Sequence, residues 1–186
     1  MQYKLTTPCT AEDLAPLKAG DTVLLSGVVY TARDQAHKRM LEALDKGEKL
    51  PFDLEGSAIY YVGPTPERPG EIIGSAGPTT SGRMDAMSPR LLDLGNKIMI
   101  GKGKRDAAVK EAVVRNGAVY LAALGGAGAL MAQSVKTLEV MAWPDLGCEA
   151  VRRLTVEDMP LTVILDAHGG DLYLSGPEAY REAQVK

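Results

Sequence analysis

The apolar and polar positions in the first half of the chain alternate between strand-like runs and amphipathic segments. The run Thr22–Tyr30 is apolar and rich in valine and leucine, which predicts a buried strand. The segment that begins at Thr31 carries apolar residues four positions apart, so it predicts an amphipathic helix that ends near Gly47. Those apolar residues are Ala36, Met40 and Leu44. A strand followed by such a helix is typical of α/β proteins.

The rest of the chain continues this alternation and then becomes richer in strands. The predicted elements are a strand at Ser57–Val62, a loop at Gly63–Gly70, a short helix with Pro89 in its first turn and Gly95 after its end, a strand at Lys97–Ile100, a helix at Arg105–Arg115, a strand at Ala118–Leu124 and a short helix after Gly125–Gly128. Residues Leu138–Leu174 favour strands, with a hairpin-like turn at Gly169 and Gly170. We expect Thr6–Gly20 to be a lead-in with a turn at Lys18–Asp21, and the polar tail from about Pro177 to Lys186 to fray.

Together these elements predict one α/β domain over residues 1–186, with a mixed sheet, flanking helices and added β-structure in the last third. The net charge is −3 and both signs are spread along the chain, which argues against a nucleic-acid or membrane partner. No apolar run approaches the roughly 20 residues that span a bilayer. The start Met1–Leu5 lacks the apolar stretch of a secretory signal, so we expect a cytoplasmic protein.

Residues that ligate metals are scarce. The two cysteines are Cys9 and Cys148, and the two histidines are His37 and His168. They lie far apart, without the spacing of a zinc site or a CxxC pair, and a disulfide is not expected in a reducing compartment. Iron–sulfur clusters usually take three or four thiolates. We therefore expect no metal site on this chain alone, and any such cluster would have to lie mainly on a partner.

The segment that most suggests chemistry is Gly77–Asp85, with the sequence GPTTSGRMD. Its three hydroxyl residues lie between glycines, just before Arg83 and a predicted helix. Glycines let backbone N–H groups approach a ligand, and a helix N-terminus favours negative charge. The arginine can bind a carboxylate through two parallel hydrogen bonds. An ordinary capped loop–helix junction with a surface arginine explains the composition equally well.

The glycine-rich segments do not match the nucleotide-binding motifs. A P-loop needs G-x-x-x-x-G-K-[ST], an order that neither Gly77–Asp85 nor Gly101–Arg105 has. The segment Gly125–Gly128 departs from G-x-G-x-x-G, because Met131 stands where the third glycine belongs. A dinucleotide site is therefore not expected.

Two further cations follow predicted strands. Arg33 lies at a strand–helix junction, where its charge opposes the helix macrodipole, and a local cost of this kind indicates function. The alternative is that Arg33 reaches solvent or pairs with Asp34. Lys102 follows the strand at Lys97–Ile100, where ligand sites of α/β sheets lie. The alternative is a solvated loop lysine, which fits Lys104 better than Lys102.

Four side chains from three strand ends could therefore hold a small dianion together. They are Arg33, Thr79, Arg83 and Lys102. No nucleophile–base pair accompanies them, and a single helical histidine such as His37 is more often structural than catalytic. The chain is thus better suited to clamping a substrate than to complete catalysis.

Three stretches of the chain resemble the β subunit, or C-terminal domain, of class I iron–sulfur fumarate hydratases. They are Thr31–Arg39 (TARDQAHKR), Gly77–Asp85 and Met99–Lys104 (MIGKGK). The likeness runs from about Leu5 to Leu174, and the most specific match is Gly77–Asp85. Tartrate dehydratases share this pattern.

The resemblance implies a swivelling β/β/α-like domain that closes over a site shared with an α subunit, in an α2β2 hetero-oligomer. The α subunit would hold a [4Fe-4S] cluster through three cysteines. In this chain, Arg33, Arg83 and Lys102 would bind substrate carboxylates, and Thr79 would be the catalytic base. A threonine hydroxyl is a poor base at neutral pH, so we expect Thr79 to relay the proton to a carboxylate of the partner. Cys148 stands where the family usually has methionine, and we expect it to be a small buried hydrophobe.

Three functions remain open at this point. The first is a subunit of a fumarase-type hydro-lyase that interconverts fumarate and malate. The second is the β subunit of an L-tartrate dehydratase. The third is a binding module that holds a dicarboxylate and catalyses nothing.

Overall fold

The structure is a computed structural model, and it describes residues 1–184 of the chain. Within those residues, seven strands form one mixed sheet. The strands are β1 (Gln2–Thr6), β2 (Thr22–Thr31), β3 (Ala58–Tyr60), β4 (Ile98–Gly101), β5 (Val119–Ala122), β6 (Val135–Ala142) and β7 (Val151–Leu165). The helices are α1 (Ala11–Leu14), α2 (Asp34–Asp45), α3 (Ser88–Asp93), α4 (Ala107–Arg115), α5 (Gly128–Gln133) and α6 (Leu172–Gln184), with 3-10 turns at Ser81–Met84 and Pro144–Glu149.

The long strand β7 closes the sheet on itself. Strands β1 to β5 run parallel, in the spatial order of their numbers. Strand β7 is antiparallel to β2 along most of its length and to β5 at Thr162–Leu165. Strands β2, β3, β4, β5 and β7 thereby form a barrel-like closure, while β1 and β6 extend from its outside edges.

Alternate residues of the short parallel strands enter two different cores. Tyr60 and Ile98 belong to an apolar cluster to which every strand of the closure contributes, so this cluster fills the closure. Their neighbours Ile59 and Met99 point the other way, into a second cluster shared with α2, α3 and α4. Because both faces are covered, these strands are apolar throughout, as in other buried parallel sheets. Each large apolar side chain that is fully buried contributes about 1.5–3 kcal/mol.

The α/β class, with a mixed sheet and flanking helices, is confirmed. The predicted strand–helix alternation from β2 to α5 is also confirmed, with shifts of a few residues at element ends. One of these shifts concerns the site: α2 begins at Asp34, and Arg33 is its N-cap residue in extended backbone rather than part of its first turn. No helix within residues 1–184 is both long and apolar enough to cross a membrane.

Both ends of the chain contain elements that the sequence interpretation did not predict. The lead-in contains the short helix α1, at whose start Thr10 and Asp13 form a reciprocal capping box. The strand-rich stretch ends with β7, and Leu172–Leu174 belong instead to α6, which runs on through the tail to Gln184 and whose Pro177 is exposed. The turn at Gly169 and Gly170 is present, but it leads into this helix. Val185 and Lys186 lie outside the described residues.

The reason for the helix is tertiary. Leu172 and Tyr173 pack against the second apolar cluster, and the carboxylate of Asp171 accepts the backbone N–H of Tyr173 at 2.9 Å. Packing of this kind outweighs the local signals for a strand and a proline break.

Candidate functional site

The parallel strands β2 to β5 all end at the same edge of the closure, which we call the strand-end edge. Arg33 follows β2, Gly63 follows β3, Lys102 follows β4 and the Gly125–Gly128 loop follows β5. Carboxyl ends of parallel strands are the usual place for ligand sites in α/β sheets. The candidate site is therefore at this edge.

The segment Gly77–Arg83 crosses the strand-end edge between the continuations of β3 and β4. It is extended as far as Thr80 and then enters the 3-10 turn Ser81–Met84. On one side, Pro78 forms an antiparallel bridge with Val62, and the N–H of Thr79 donates to the carbonyl of Tyr61 at 2.7 Å. On the other side, Thr80 and Lys102 form a parallel bridge. The backbone thus places Thr79 and Lys102 on neighbouring extended segments.

The Gly125–Gly128 loop packs on the start of this segment. The N–H of Ala76 donates to the carbonyl of Gly128 at 3.0 Å. A Cβ on Gly128 would lie 2.2 Å from the hydroxyl of Ser75 and 3.0 Å from the nitrogen of Gly77, so this close approach requires glycine. Gly128 therefore serves backbone packing at the site. The aliphatic part of the Lys102 side chain lies near Gly125, and Lys102 is exposed overall.

Arg33 is held at the strand-end edge by close packing. Its guanidinium lies against Gly63, where a Cβ would be 2.3 Å from Nη1. The side chain is 20% exposed, and its Nη2 is 3.7 Å from Oε1 of Glu149. Arg33 is thus a closely packed cation whose buried Nε–H has no hydrogen-bond partner among the described residues.

Glu149 is a site residue that the sequence interpretation missed. Its Oε2 accepts the N–H of Gln35 at 2.8 Å and so satisfies a backbone group at the start of α2. Arg33, the N-cap residue, makes no side-chain capping bond of its own. A carboxylate at a helix N-terminus is stabilised by the macrodipole. Since 114 positions separate Gln35 from Glu149, no local sequence signal could have revealed this contact.

Arg83 also has an acidic neighbour at the start of α2. Its Nη2 lies 2.9 Å from Oδ2 of Asp34, without the angles of a hydrogen bond, and its side chain is 47% exposed. An exposed ion pair contributes only about 0–1 kcal/mol, so it does not lock the arginine in place. Because Asp34 directly follows Arg33, this contact brings Arg33 and Arg83 to the same end of α2.

His37 supports Arg33 from inside the fold. Its Nδ1 lies 2.9 Å from the carbonyl of Arg33, and its ring packs edge-on against Tyr61. Burial lowers the pKa of His37 to about 4, and the charge of Arg105 adds to this effect. The imidazole is therefore neutral near pH 7 and donates from Nδ1 to the carbonyl. This favours the structural interpretation of His37 over a catalytic one.

A buried polar network adjoins the segment, and no sequence pattern had pointed to its central residue, Arg105. The Nε of Arg105 donates to Asp85 at 2.5 Å, and Nη2 donates to Ser88 at 2.8 Å. The guanidinium also lies over the rings of Tyr61 and Tyr120, at 5.4 and 5.0 Å from their centroids. A buried arginine needs such partners, because an unpaired buried charge is costly.

The structure brings Arg33, Thr79, Arg83 and Lys102 to one edge of the closure, and their roles stay predictions. Lys104 is exposed nearby.

The expectation that Cys148 is buried was wrong: it lies exposed in the 3-10 turn Pro144–Glu149, whose residues form no part of either core. Within residues 1–184, no group of three or more histidine, cysteine, aspartate or glutamate side chains could hold a metal ion.

The fold is that of an α/β domain with a closed mixed sheet, and comparison with known proteins is more specific. The fumarase C-terminus family model matches residues 1–176. The chain is 42% identical to the "Putative L(+)-tartrate dehydratase subunit beta" of Methanocaldococcus jannaschii over 170 residues, which are 88% of this chain and 87% of that protein. The chain belongs to the fumarase C-terminus family.

Two further relatives differ in how much of their length is matched. The L(+)-tartrate dehydratase subunit beta of Escherichia coli is 33% identical over 98% of this chain and 92% of its own length. The aerobic class I fumarate hydratase of Salmonella typhimurium is 38% identical over 87% of this chain but only 28% of its own length. The chain thus spans less than a third of that fumarate hydratase and nearly the whole of the β subunits.

Proposed function

We propose that this chain is the β subunit of an iron–sulfur-dependent hydro-lyase that interconverts fumarate and malate, with an active site shared with an α subunit. The observation that carries the proposal is the convergence of Arg33, Thr79, Arg83 and Lys102 at one strand-end edge, in a chain whose β-subunit relatives match over nearly their whole length. We further propose an α2β2 assembly located in the cytoplasm.

The cations of the site suit a dicarboxylate. Arg33, Arg83 and Lys102 bind the two carboxylates, and Arg33 offers a buried donor that no described residue satisfies. Removal of the proton next to a carboxylate builds up negative charge on that carboxylate. Fixed cations stabilise this charge more in the transition state than in the bound substrate, which is the condition for catalysis.

Thr79 contacts the substrate between these cations and passes the proton on. Its backbone N–H is bonded to the carbonyl of Tyr61, so the residue itself is held between the continuations of β3 and β4. A threonine hydroxyl is far too weak an acid to ionise near pH 7. We propose that it relays the proton to a carboxylate of the α subunit.

The donors of this chain do not fit an iron–sulfur cluster, so the proposed [4Fe-4S] cluster belongs to the α subunit. Cys9 is buried, and its burial, with a smaller contribution from Asp13, raises the pKa of the thiol to about 11. Cys148 lies exposed in a turn, without a neighbouring group of ligands in the described part of the chain. We predict that this chain purified alone under anaerobic conditions shows no cluster absorbance. A brown protein obtained without a partner would contradict the assignment.

The alternative substrate is L-tartrate, and the names of the two β-subunit relatives favour it. The test is co-expression with an α subunit, followed by anaerobic assays with fumarate, malate and L-tartrate. Turnover of fumarate well above that of tartrate supports the proposal, and the reverse ratio supports a tartrate dehydratase. If an assembled, cluster-loaded complex turns over neither acid, while the chain alone binds dicarboxylates, the chain is a binding module.

A further inference from the structure

Ser81 joins the two segments that carry the proposed substrate-binding groups. It is completely buried. Its backbone N–H donates to the carbonyl of Lys102 at 2.8 Å, and its Oγ accepts the N–H of Lys102 at 3.0 Å. Both the amide and the carbonyl of Lys102 are therefore bonded to one residue of the Gly77–Arg83 segment.

Tyr120 completes this contact, and the direction of each hydrogen bond follows by elimination. The hydroxyl of Tyr120 lies 2.9 Å from the carbonyl of Gly103 and 2.9 Å from Oγ of Ser81. A carbonyl can only accept, so the single phenol proton goes to Gly103. Ser81 must then donate its proton to Tyr120, which leaves a lone pair of Ser81 for the N–H of Lys102. Burial raises the pKa of Tyr120 above its ordinary value, so the phenol keeps this proton.

The fit around the serine is tight. A Cβ on Gly101 would lie 2.0 Å from the hydroxyl oxygen of Ser81 and 3.0 Å from the ring of Tyr61, so only glycine at the end of β4 admits the serine. The ring of Tyr120 in turn lies against the guanidinium of Arg105, which Asp85 holds. Close packing of this kind leaves the serine hydroxyl little freedom to choose other partners.

We propose that Ser81 and Tyr120 are positioning residues, which hold the backbone of Lys102 against the Gly77–Arg83 segment so that Lys102 and Arg83 act on the same dicarboxylate. Neither hydroxyl touches substrate, and each acts through Lys102. The inference rests on the proposed function, because it takes Lys102 to be a substrate-binding residue.

The first test uses this chain alone and needs no activity. Amide exchange of Lys102, followed by NMR, reports whether its N–H has a buried acceptor. In Ser81→Ala the acceptor is gone, and we expect exchange to accelerate by about 10-fold or more, the effect of losing one buried hydrogen bond. Tyr120→Phe should accelerate it less. The matched control is Ser57→Ala, which removes a buried serine hydroxyl at the opposite edge of the sheet. It should leave the exchange rate of the Lys102 amide unchanged.

The second test is a double-mutant cycle in the enzyme assembled with its α subunit. Ser81→Ala should lower kcat/KM by about 10-fold in the wild type and by less than about 2-fold in a Lys102→Ala background, because residues that act through one another are not additive. Tyr120→Phe serves as the milder variant if Ser81→Ala folds poorly. A merely structural role would lower kcat/KM equally in both backgrounds.

The outcomes separate the two proposals. Equal losses in both backgrounds, or an unchanged exchange rate of Lys102 in Ser81→Ala, would overturn the positioning role while the substrate role of Lys102 stands. Full activity of Lys102→Ala would instead remove Lys102 from the site and overturn the positioning role with it.

Discussion

The two ends of the closed sheet differ in how fully their buried polar groups are hydrogen-bonded. At the strand-end edge, three buried side-chain atoms lack a hydrogen-bond partner, and all such atoms in the described part of the chain lie at the start of α2. They are Nε of Arg33, Nε2 of His37 and Oδ2 of Asp34, of which the last has a charged neighbour, Nη2 of Arg83 at 2.9 Å. At the opposite edge, Asp166 accepts three backbone N–H groups and the amide of Asn96 donates to Ser57.

This difference indicates that the strand-end edge serves ligand binding and that the opposite edge serves the stability of the fold. An unsatisfied buried polar group costs about 1–3 kcal/mol, so a fold does not concentrate such groups without a compensating role. A bound carboxylate would accept from Arg33 and remove part of this cost. Changes at the strand-end edge should therefore alter kinetics with little change in stability, and changes at the opposite edge should do the reverse.

The largest expected effect is that of Thr79→Ala. If the threonine relays the proton, kcat should fall by roughly 10²–10⁴-fold with little change in KM, the usual worth of general acid–base catalysis. The measurement is steady-state kinetics of the α–β complex at matched cluster content. Thr137→Ala removes an exposed hydroxyl on β6 and is the control. A raised KM at wild-type kcat would reduce Thr79 to a binding group.

At the opposite edge, Asp166→Asn should lower the free energy of unfolding by about 1.5–3 kcal/mol, the worth of hydrogen bonds to a charged group. Asparagine has one oxygen, so its NH₂ group would face a backbone N–H that the carboxylate accepts. Urea unfolding near pH 7 measures the loss, and kcat and KM should stay at their wild-type values. A kinetic defect in a well-folded variant would break the comparison between the two edges.

The same residue predicts a pH dependence. Partial burial alone would raise the pKa of Asp166, but the N–H groups of Ala19, Gly170 and His168 outweigh it and hold the pKa below its ordinary value. A lowered pKa in the folded state means that this stabilisation is present above the unfolded pKa of about 4 and is lost as pH falls through the folded value. The difference in stability between wild type and Asp166→Asn should therefore shrink below about pH 4.

Arg83→Lys tests whether the guanidinium grips a carboxylate through two bonds. Lysine keeps the charge but loses the planar fork, so kcat/KM should fall by about 10-fold or more, equivalent to about 1.4 kcal/mol. Arg90→Lys is a matched control, because Arg90 is 44% exposed and pairs with Asp45 on the surface. Unchanged kinetics in Arg83→Lys would show that Arg83 does not bind the carboxylate through two bonds and is an ordinary surface arginine.

The smallest expected effect is that of Glu149→Gln. It removes the charge that caps the start of α2 and should cost about 0.3–1 kcal/mol of stability, the worth of a carboxylate at a helix N-terminus. Thermal unfolding of the chain measures this loss. The control is Glu139→Gln on the exposed face of β6, and it should leave the stability near wild type. Equal stability of both variants would contradict the capping role of Glu149.

Local pattern was enough for the middle of the chain. The apolar run at β2 and the four-residue spacing along α2 predict their elements because each buries a continuous face. The segment Gly77–Arg83 stood out because small residues, hydroxyls and an arginine together suit a bound carboxylate. The family resemblance, now confirmed, rested on the same stretches.

What the sequence by itself determined is thus the succession of strands and helices from β2 to α5, the family and the candidate cations, since these depend on neighbouring residues. Only the tertiary structure decided the closure by β7, the helix at Leu172–Gln184, the Ser81–Lys102 contact and the capping of α2 by Glu149. The closure and the two contacts join distant parts of the chain. In the helix, packing against the core outweighs the local preference for a strand. The free energy of all four features comes from surfaces and hydrogen-bonding groups that meet only in the folded protein.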